Sequence, residues 1–567
     1  MSDTITRLNA ALEGFASPEH RVGFAASIGF VLSLILVAGA EGQEAPREDG
    51  QWTMPAKDYA ATRYSGLGEI TPANAARLRP VWTFSTGVLG GHEGQPLVVN
   101  NTMYVVTPYP NVLYAFDLTE EGYPLHWKYR PDVNPFALGI ACCDAVNRGP
   151  AYADGKVVYN LLDGHTVAVD AITGREVWKT KIAELSIGET VTMAPLIIGD
   201  RVIVGPSGGE FGIQGWVKAL DLETGRILWT GYNAGPDSQV LANPDTFRPF
   251  YDEGTELGLT TWAGDTWKLA GVPVWGWISY DPDLDLVYWG TGNPGPDWNG
   301  DVRPGDNLYT ASVMALDADT GELRWHFQYT PHDTHDWDAN QIQVLLDDDW
   351  EGEPRKLLVT ANRNAFYYVL DRETGEFLHG VEYAKQTWSE GLDENGRAIV
   401  IPGTEPSYKG TLVWPSLQGS TNWFSPSYSP LTGGFYVAVR EMGAVYYKQD
   451  VDFEPGQPFL GGGEQRLDGD QAQGWVYALD ALTGERRWQF NLLSPPWSGV
   501  MATGGGLVFG GSQEGNIFAL DADTGEPLWS FYVGAATRTN PMSYAHLGKQ
   551  YVVMSGGYGV FVFGLRD

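Results

Sequence analysis

Cysteine is almost missing from this chain: there are two in 567 residues, and they are neighbours, Cys142-Cys143. A framework of loop-closing disulfides is thereby excluded. So is a c-type haem carried by the chain itself, because no Cys-x-x-Cys-His occurs. Positive charge is also scarce, with 36 Lys and Arg against 70 Asp and Glu and a net charge of −34. That balance argues against nucleic acid and anionic membrane surfaces as partners, and is compatible with solubility, a basic partner protein or a salty medium. The apolar run near the N-terminus, Val22 to Val37, falls short of the ~20 residues of a stable membrane span. It follows Arg21 and ends in Ala38-Gly39-Ala40, the layout of an export signal with a small-x-small cleavage site. The expectation is a signal peptide over 1–40, an exported, periplasmic mature chain over 41–567, and an uncleaved anchor as the alternative.

The adjacent cysteines pose a geometric question. An ordinary disulfide holds its Cα atoms about 4.4–6.8 Å apart, whereas one trans peptide fixes neighbours near ~3.8 Å. A bond here would close a small ring and staple no loop. Two readings stay open: a buried pair of free thiols, which is where free cysteine usually sits, or a vicinal disulfide serving as a rigid apolar surface. Export to an oxidising compartment supports the bonded form.

Glycine, tryptophan and tyrosine are abundant, at 71, 22 and 28 residues. That composition suits an all-β chain with many tight turns and aromatic packing. The pattern Ala-x-Asp-x-x-Thr-Gly-x-x-x-Trp recurs at 168–178, 219–229, 315–325, 478–488 and 519–529, with weaker copies ending at Trp127 and Leu378 and a degenerate one at Trp82. Alternating apolar runs flank each copy, so the unit reads strand, tight turn, strand. Two intervals are 51 residues, Trp127 to Trp178 to Trp229, and periods near 40–50 with several strands per unit mark propeller blades. Eight motif ends predict an eight-bladed β-propeller whose motif tryptophans pack between blades. Two longer intervals are read as single blades with irregular loops over 235–268 and 386–410, which suit a functional entrance.

The repeat together with Cys142-Cys143 resembles the quinoprotein alcohol dehydrogenases, the family of the methanol and ethanol dehydrogenase large subunits. The likeness runs from about Trp52 to the C-terminus. It includes Gly91-His-Glu93-Gly, the Cys-Cys-Asp-x-x-x-Arg148 segment, Ser207-Gly-Gly-Glu210, Trp275-Gly-Trp277, Gly290-Thr-Gly-Asn293-Pro and Trp337-Asp338. The resemblance implies a pyrroloquinoline quinone (PQQ) and a divalent ion, Ca²⁺, near the propeller axis. It places PQQ between a Cys142–Cys143 disulfide and Trp275, with Trp277 as packing. It assigns Glu93, Arg148, Thr192, Ser207 and Gly208 to the cofactor's rim and carboxylates, where an arginine gives bidentate recognition. Glu210, Asn293 and Asp338 fall to the ion, which favours several oxygen ligands. Asp338 is the implied base and Arg363 the implied partner of the quinone oxygens.

A rival reading takes His332-Asp333-Thr-His335-Asp336 as a transition-metal cluster; loop support for Asp338 is the plainer account. Lanthanide-using members carry Asp two residues after the catalytic Asp, and here that position is Asn340, so Ca²⁺ is expected over a lanthanide. With no haem in the chain, the expected electron acceptor is a separate cytochrome c. The alcohol is not identified, and monomer and homodimer both stay open. The competing function is a cofactor-free scaffold like the outer-membrane assembly propellers, since fold does not imply function. The intact set Cys142, Cys143, Glu210, Asn293 and Asp338 favours the enzyme.

Overall fold

A computed structural model describes residues 48–467 and 472–566; the export signal expected over 1–40 lies outside them. Among the described residues, eight sheets carry four or five strands each. Five are built wholly from strands that follow one another, over 97–129, 151–181, 196–232, 279–328 and 344–382; a sixth, over 427–492, is interrupted by two strands of a separate three-stranded sheet, and a seventh, over 501–532, adds Tyr64–Ser65 in parallel with Met501–Thr503. The eighth joins the two ends of the chain: Leu78–Ser85 pairs antiparallel with Gly559–Leu565, beside Lys549–Gly556 and Met542–His546.

The repeated motif is the hairpin between the last two strands of a sheet. Its first and last residues face each other across the ladder, as in Ala168 with Trp178, Ala219 with Trp229, Ala315 with Trp325, Ala478 with Trp488 and Ala519 with Trp529. The motif aspartate builds the turn. Asp170 Oδ1 accepts from the Thr173 amide and hydroxyl, both at 2.7 Å, and Asp221 does the same with Thr224 at 2.8 and 2.6 Å. The glycine that follows is left-handed (φ +68° at Gly174), which an L side chain resists.

That glycine has a second reason to lack a side chain. A Cβ on Gly174 would stand 2.6 Å from the Trp127 ring, on Gly225 from Trp178, on Gly525 from Trp488 and on Gly375 from Trp325, each at the same 2.6 Å. Trp229 seats in the same way on Gly321 at 2.7 Å. Each indole of one sheet thus lies on the turn of the next. Most also donate Nε1–H to that turn: Trp127 to Ala171 O, Trp178 to Leu222 O, Trp325 to Arg372 O and Trp488 to Ala522 O. Trp529 donates to Leu78 O and Trp82 to Gly122 O, so the series of contacts passes through the terminal sheet and returns to the sheet at 97–129. At the weak copy the ring is joined otherwise: Tyr367 donates to Ala481 O and packs against Gly484.

The segments read as irregular loops carry some structure. Residues 235–268 hold two single-turn helices, Asp237–Val240 and Leu257–Thr260. Residues 386–410 hold a small hairpin, Ser389–Leu392 with Ala398–Val400, turned by Asp393, whose Oδ1 accepts from the Asn395 and Arg397 amides. Such a short hairpin has too few alternating residues to register as a strand signal.

Trp529 is 8% exposed and seals the junction between the sheet at 501–532 and the terminal sheet, 5.0 Å edge-on to Phe563. Trp529→Ala is expected to lower the free energy of unfolding by about 3–5 kcal/mol, read by urea denaturation. Ile172→Ala, at a side chain 75% exposed, should stay within about 0.5 kcal/mol of the parent.

Candidate active site

Every one of the eight sheets sends a residue to one cavity of about 660 Å³, and in each it stands three to six positions before a strand that opens the sheet's consecutive run. These are Glu93, Arg148, Thr192, Trp275, Asp338, Trp423, Trp497 and Arg538, ahead of strands beginning at Leu97, Ala151, Leu196, Ser279, Val344, Ser427, Met501 and Met542. A second set enters from the returns between the next two strands: Ser207, Gly208 and Glu210, then Asn293, then Arg363. Strand entries on one side of a ring converge on its axis, so residues far apart in sequence meet there. All twelve residues assigned from the sequence line this one cavity. Trp277 does not; it is buried beneath the Arg63 guanidinium, 4.7 Å from its ring.

Cys142 and Cys143 are bonded to each other, Cα to Cα 3.8 Å, and exposed toward the cavity. The reading as buried free thiols is therefore wrong: the segment between the helix Ala137–Ile140 and the strand Ala151–Ala153 turns them outward. Trp275 is held by Asn340, whose Oδ1 accepts the Trp275 and Gly276 amides at 3.1 and 3.2 Å and whose Nδ2 donates to Pro273 O at 3.3 Å. The Arg148 and Arg363 guanidiniums lie 4.9 and 5.5 Å from the Trp275 ring.

One part of the cavity is rich in donors. Arg148 pairs with Glu93 at 3.0 Å and donates to Thr192 Oγ1 at 2.7 Å; Thr192 and Ser207 hydroxyls share a bond of 2.7 Å. Burial pushes the Glu93 carboxyl up to about 7, against the pull of Arg148 and Arg538. The Nε atoms of Arg148, Arg363 and Arg440 and the Trp423 indole nitrogen are buried without partners. Unpaired buried donors are costly, and four of them around one cavity fit a ligand rich in acceptor oxygens.

The other part is rich in carboxylates. Asp338 Oδ1 accepts the Asn293 amide at 2.8 Å, and its Oδ2 pairs with Arg363 Nη1 at 3.0 Å. Arg363 also donates to Asp336 O at 2.8 Å. Burial raises the Asp338 pKa, with Arg363 and the Asn293 amide opposing. Burial lifts Glu210 to about 7, and Asp338 adds to it; Glu210 Oε2 has no hydrogen-bond partner. Asp297 and Asp336 are pushed well above the carboxylate range by burial and by their acidic neighbours. A cation held near Glu210 and Asp338 would lower both, because opposite charge favours the ionised form. Glycine makes the approach possible: a Cβ on Gly292 would meet Asp338 Oδ1 at 2.6 Å.

The histidines beside Asp338 are committed elsewhere. His335 stacks on Trp337 at 4.3 Å and bonds Thr404 O, His332 bonds Gly305 O, and Asp333 accepts the His335 and Trp337 amides. They hold the loop that carries Asp338. Trp423, Trp497 and Arg538 also line the cavity and were not found from the sequence. For them the usable signal is position, since they stand at strand entries equivalent to those of Glu93 and Thr192.

A cavity with a donor-lined pocket, a carboxylate cluster and a disulfide wall in a β-propeller suits a quinone-dependent oxidoreductase. The family model "Glucose/ethanol/alcohol dehydrogenase, beta-propeller domain", headed PQQ, matches residues 52–395, and one for the outer membrane protein assembly factor BamB matches 472–563. A lanthanide-dependent methanol dehydrogenase of Methylacidiphilum fumariolicum (strain SolV) is 42% identical over 547 residues, 94% of this chain and 89% of that protein. Methanol dehydrogenase [cytochrome c] subunit 1 of Methylobacterium organophilum is 38% identical, covering 94% and 89%. The structure of a europium-containing methanol dehydrogenase superposes with a TM-score of 0.88 at 39% identity, over 92% of this chain and 99% of that one. The chain belongs to the PQQ-dependent alcohol and methanol dehydrogenase family. The stretch that resembles the assembly factor contains none of the twelve site residues.

The disulfide closes no loop, so its removal in Cys142→Ala/Cys143→Ala is expected to change unfolding free energy by less than about 1 kcal/mol, while PQQ uptake followed by quinone absorbance falls at least tenfold. Because Glu210 holds its proton up to about 7, an incoming cation must displace that proton at lower pH. Apparent Ca²⁺ affinity should therefore fall as the pH drops below about 7, measurable by calorimetric titration.

Proposed function

We propose that the mature chain, residues 41–567, is an exported, periplasmic, eight-bladed quinoprotein that oxidises an alcohol to an aldehyde or ketone with PQQ and Ca²⁺. The observation that carries the chemistry is the juxtaposition of buried, unpartnered guanidinium donors and unpartnered carboxylate oxygens in one cavity, at Arg148, Arg363 and Glu210. The eight sheets, joined by indole-on-glycine contacts, support the blade count.

The residues fit the groups. Arg148, Thr192, Ser207 and Gly208 would hold the carboxylated rim of PQQ, with Glu93 fixing Arg148. The Cys142–Cys143 disulfide and Trp275 would flank its plane. Glu210, Asn293 and Asp338 would hold the ion. When bound there, PQQ supplies the hydride acceptor and the ion the Lewis acid.

Asp338 takes the alcohol's hydroxyl proton. Its position is over-determined: the Asn293 amide fixes one oxygen and Arg363 the other. Burial raises its pKa, which makes it a stronger base once ionised, and Arg363 opposes that rise in favour of the ionised form. Arg363 also has its Nε free to meet charge developing on the quinone oxygens.

Asn340 supports Ca²⁺ over a lanthanide, because its amide is spent on the Trp275 loop and adds no charge to the ion site. Electrons leave to a separate carrier, and a chain of net charge −34 suits a cytochrome c with a basic docking face.

The test is reconstitution with PQQ and Ca²⁺, followed by dye-linked oxidation of an alcohol panel. Asp338→Asn should take up PQQ yet lose about 10³-fold or more in kcat. Turnover unchanged in that variant would overturn Asp338 as the base, and no PQQ uptake by the parent would favour a scaffold. Because Asp338 must be ionised and its pKa is raised, turnover should climb with pH and fade on the acid side. Higher activity with a lanthanide than with Ca²⁺ would overturn the choice of ion.

A further inference from the structure

Five arginines line the cavity, and four of them are matched by a carboxylate. Arg148 pairs with Glu93 at 3.0 Å, Arg363 with Asp338 at 3.0 Å, Arg466 with Glu464 at 2.9 Å and Arg538 with Asp144 at 3.4 Å. The fifth, Arg440, has no carboxylate partner among the described residues. It is 4% exposed, and its guanidinium donates to Pro496 O and Gln418 Oε1, both neutral. Its face lies 4.7 Å from the Trp497 ring, and its Nε is buried without an acceptor. A buried charge is normally paired. Arg63 and Arg303 are also buried on neutral oxygens, but neither lines the cavity. Arg440 does, so a ligand can supply the anion that the protein withholds.

The fold sets Arg440 across the cavity from Arg148. Arg148 precedes the sheet at 151–181, and Arg440 belongs to the sheet at 427–492. In the series of turn contacts these sheets are four steps apart in either direction. Arg440 stands at the end of Gly434–Glu441, the second strand of its sheet, much as Arg363 follows Glu353–Ala361, the second strand of the sheet before it. The backbone ties the two together: Arg363 O accepts the Ser420 amide at 3.0 Å, and Ser420 O accepts the Arg440 amide at 2.8 Å. Gly419 makes room for this, being left-handed (φ +72°) and so close that its Cβ would stand 2.5 Å from Arg363 Cγ. Two guanidiniums thus enter one cavity from opposite walls, with Arg363 beside the second.

We propose that Arg440 is a second carboxylate clamp for the cofactor, holding the end of PQQ opposite to the one that Arg148 holds. The inference rests on reading this cavity as a PQQ site. PQQ is a flat tricycle with carboxylates on both terminal rings, two on the pyridine ring and one on the pyrrole ring. One arginine can match one end only. Arg148 with Thr192 and Ser207 is the richer donor set and suits the ring with two carboxylates. The lone Arg440 suits the ring with one, its planar fork matching a carboxylate and its face resting on Trp497.

The test reads binding rather than turnover: PQQ is titrated into the cofactor-free mature chain and followed by quenching of tryptophan fluorescence. Arg440→Gln is expected to weaken PQQ about tenfold or more. A PQQ monoester blocked at the pyrrole carboxylate should lose the same factor with the parent, but less than about twofold with Arg440→Gln, where the contact is already gone. A diester blocked at the pyridine carboxylates should weaken binding to both proteins alike. Arg440→Lys, which keeps the charge and loses the fork, should fall between parent and Arg440→Gln, and carries the same ester comparison if Arg440→Gln does not fold. Equal sensitivity of parent and variant to the pyrrole ester would overturn the inference. So would parent-like PQQ affinity in Arg440→Gln with KM raised for hydroxy acids alone, which would assign the guanidinium to a carboxylate of the substrate. No PQQ uptake by the parent would overturn this inference together with the cofactor reading beneath it.

Discussion

The indole of one sheet resting on the turn glycine of the next is the contact from which the rest of the molecule follows. A sheet exposes two faces and two edges, and a single four-stranded sheet cannot bury either face alone. Seating Trp127 on Gly174, Trp178 on Gly225 and so on fixes both the distance and the order between neighbours. The glycine meets two demands at once: a left-handed turn and space for a ring at 2.6 Å. Either demand alone tolerates exceptions; together they explain why the motif repeats so strictly. The terminal sheet, made from both ends of the chain, continues the series through Trp529 and Trp82. The strand entries of the eight sheets reach one cavity, and the candidate site is what stands at those entries.

The site itself is an electrostatic compromise. Four carboxyls, at Glu210, Asp297, Asp336 and Asp338, are pushed toward their protonated forms by burial, and at Glu210, Asp297 and Asp336 by acidic neighbours as well. Arg363 offsets only part of that repulsion, being placed on Asp338 and on the Asp336 carbonyl. Opposite them stand Arg148, Arg363, Arg440 and Trp423 with buried nitrogens that find no acceptor. Such a cavity is complementary to a flat, oxygen-rich anion bridged to a cation, and to little else. The surface charge acts separately: −34 overall bears on encounter with a partner, whereas the cavity's charges bear on what is bound.

Much of this was legible before the structure. The strands and the turn chemistry follow from one repeated string, because the string encodes a local hairpin and its contact with a neighbour. The twelve residues assigned through the motifs around them all line one cavity. What the sequence hid has physical causes. Trp423, Trp497 and Arg538 are site residues by their place before a strand, and that place shows only when the strand is known. The hairpin at 389–400 is too short to show a period. The cysteine pair was ambiguous because burial, which the dipeptide does not encode, distinguishes a thiol in the core from a wall facing a cavity.

Asn340 shows why ion choice is not readable from a single position. An amide at 340 uses its oxygen to accept two backbone N–H groups and its nitrogen to donate to Pro273, which holds the Trp275 wall. A carboxylate there would keep the acceptor role and lose the donor, so position 340 trades charge at the ion for rigidity at the aromatic wall. The charge seen by an ion is the sum over every carboxylate within a few ångströms, and the low dielectric of the interior keeps distant members of that sum significant. Ion preference in such a propeller is therefore set by the total charge that its converging loops bring to the axis, with each loop free to supply or withhold its share.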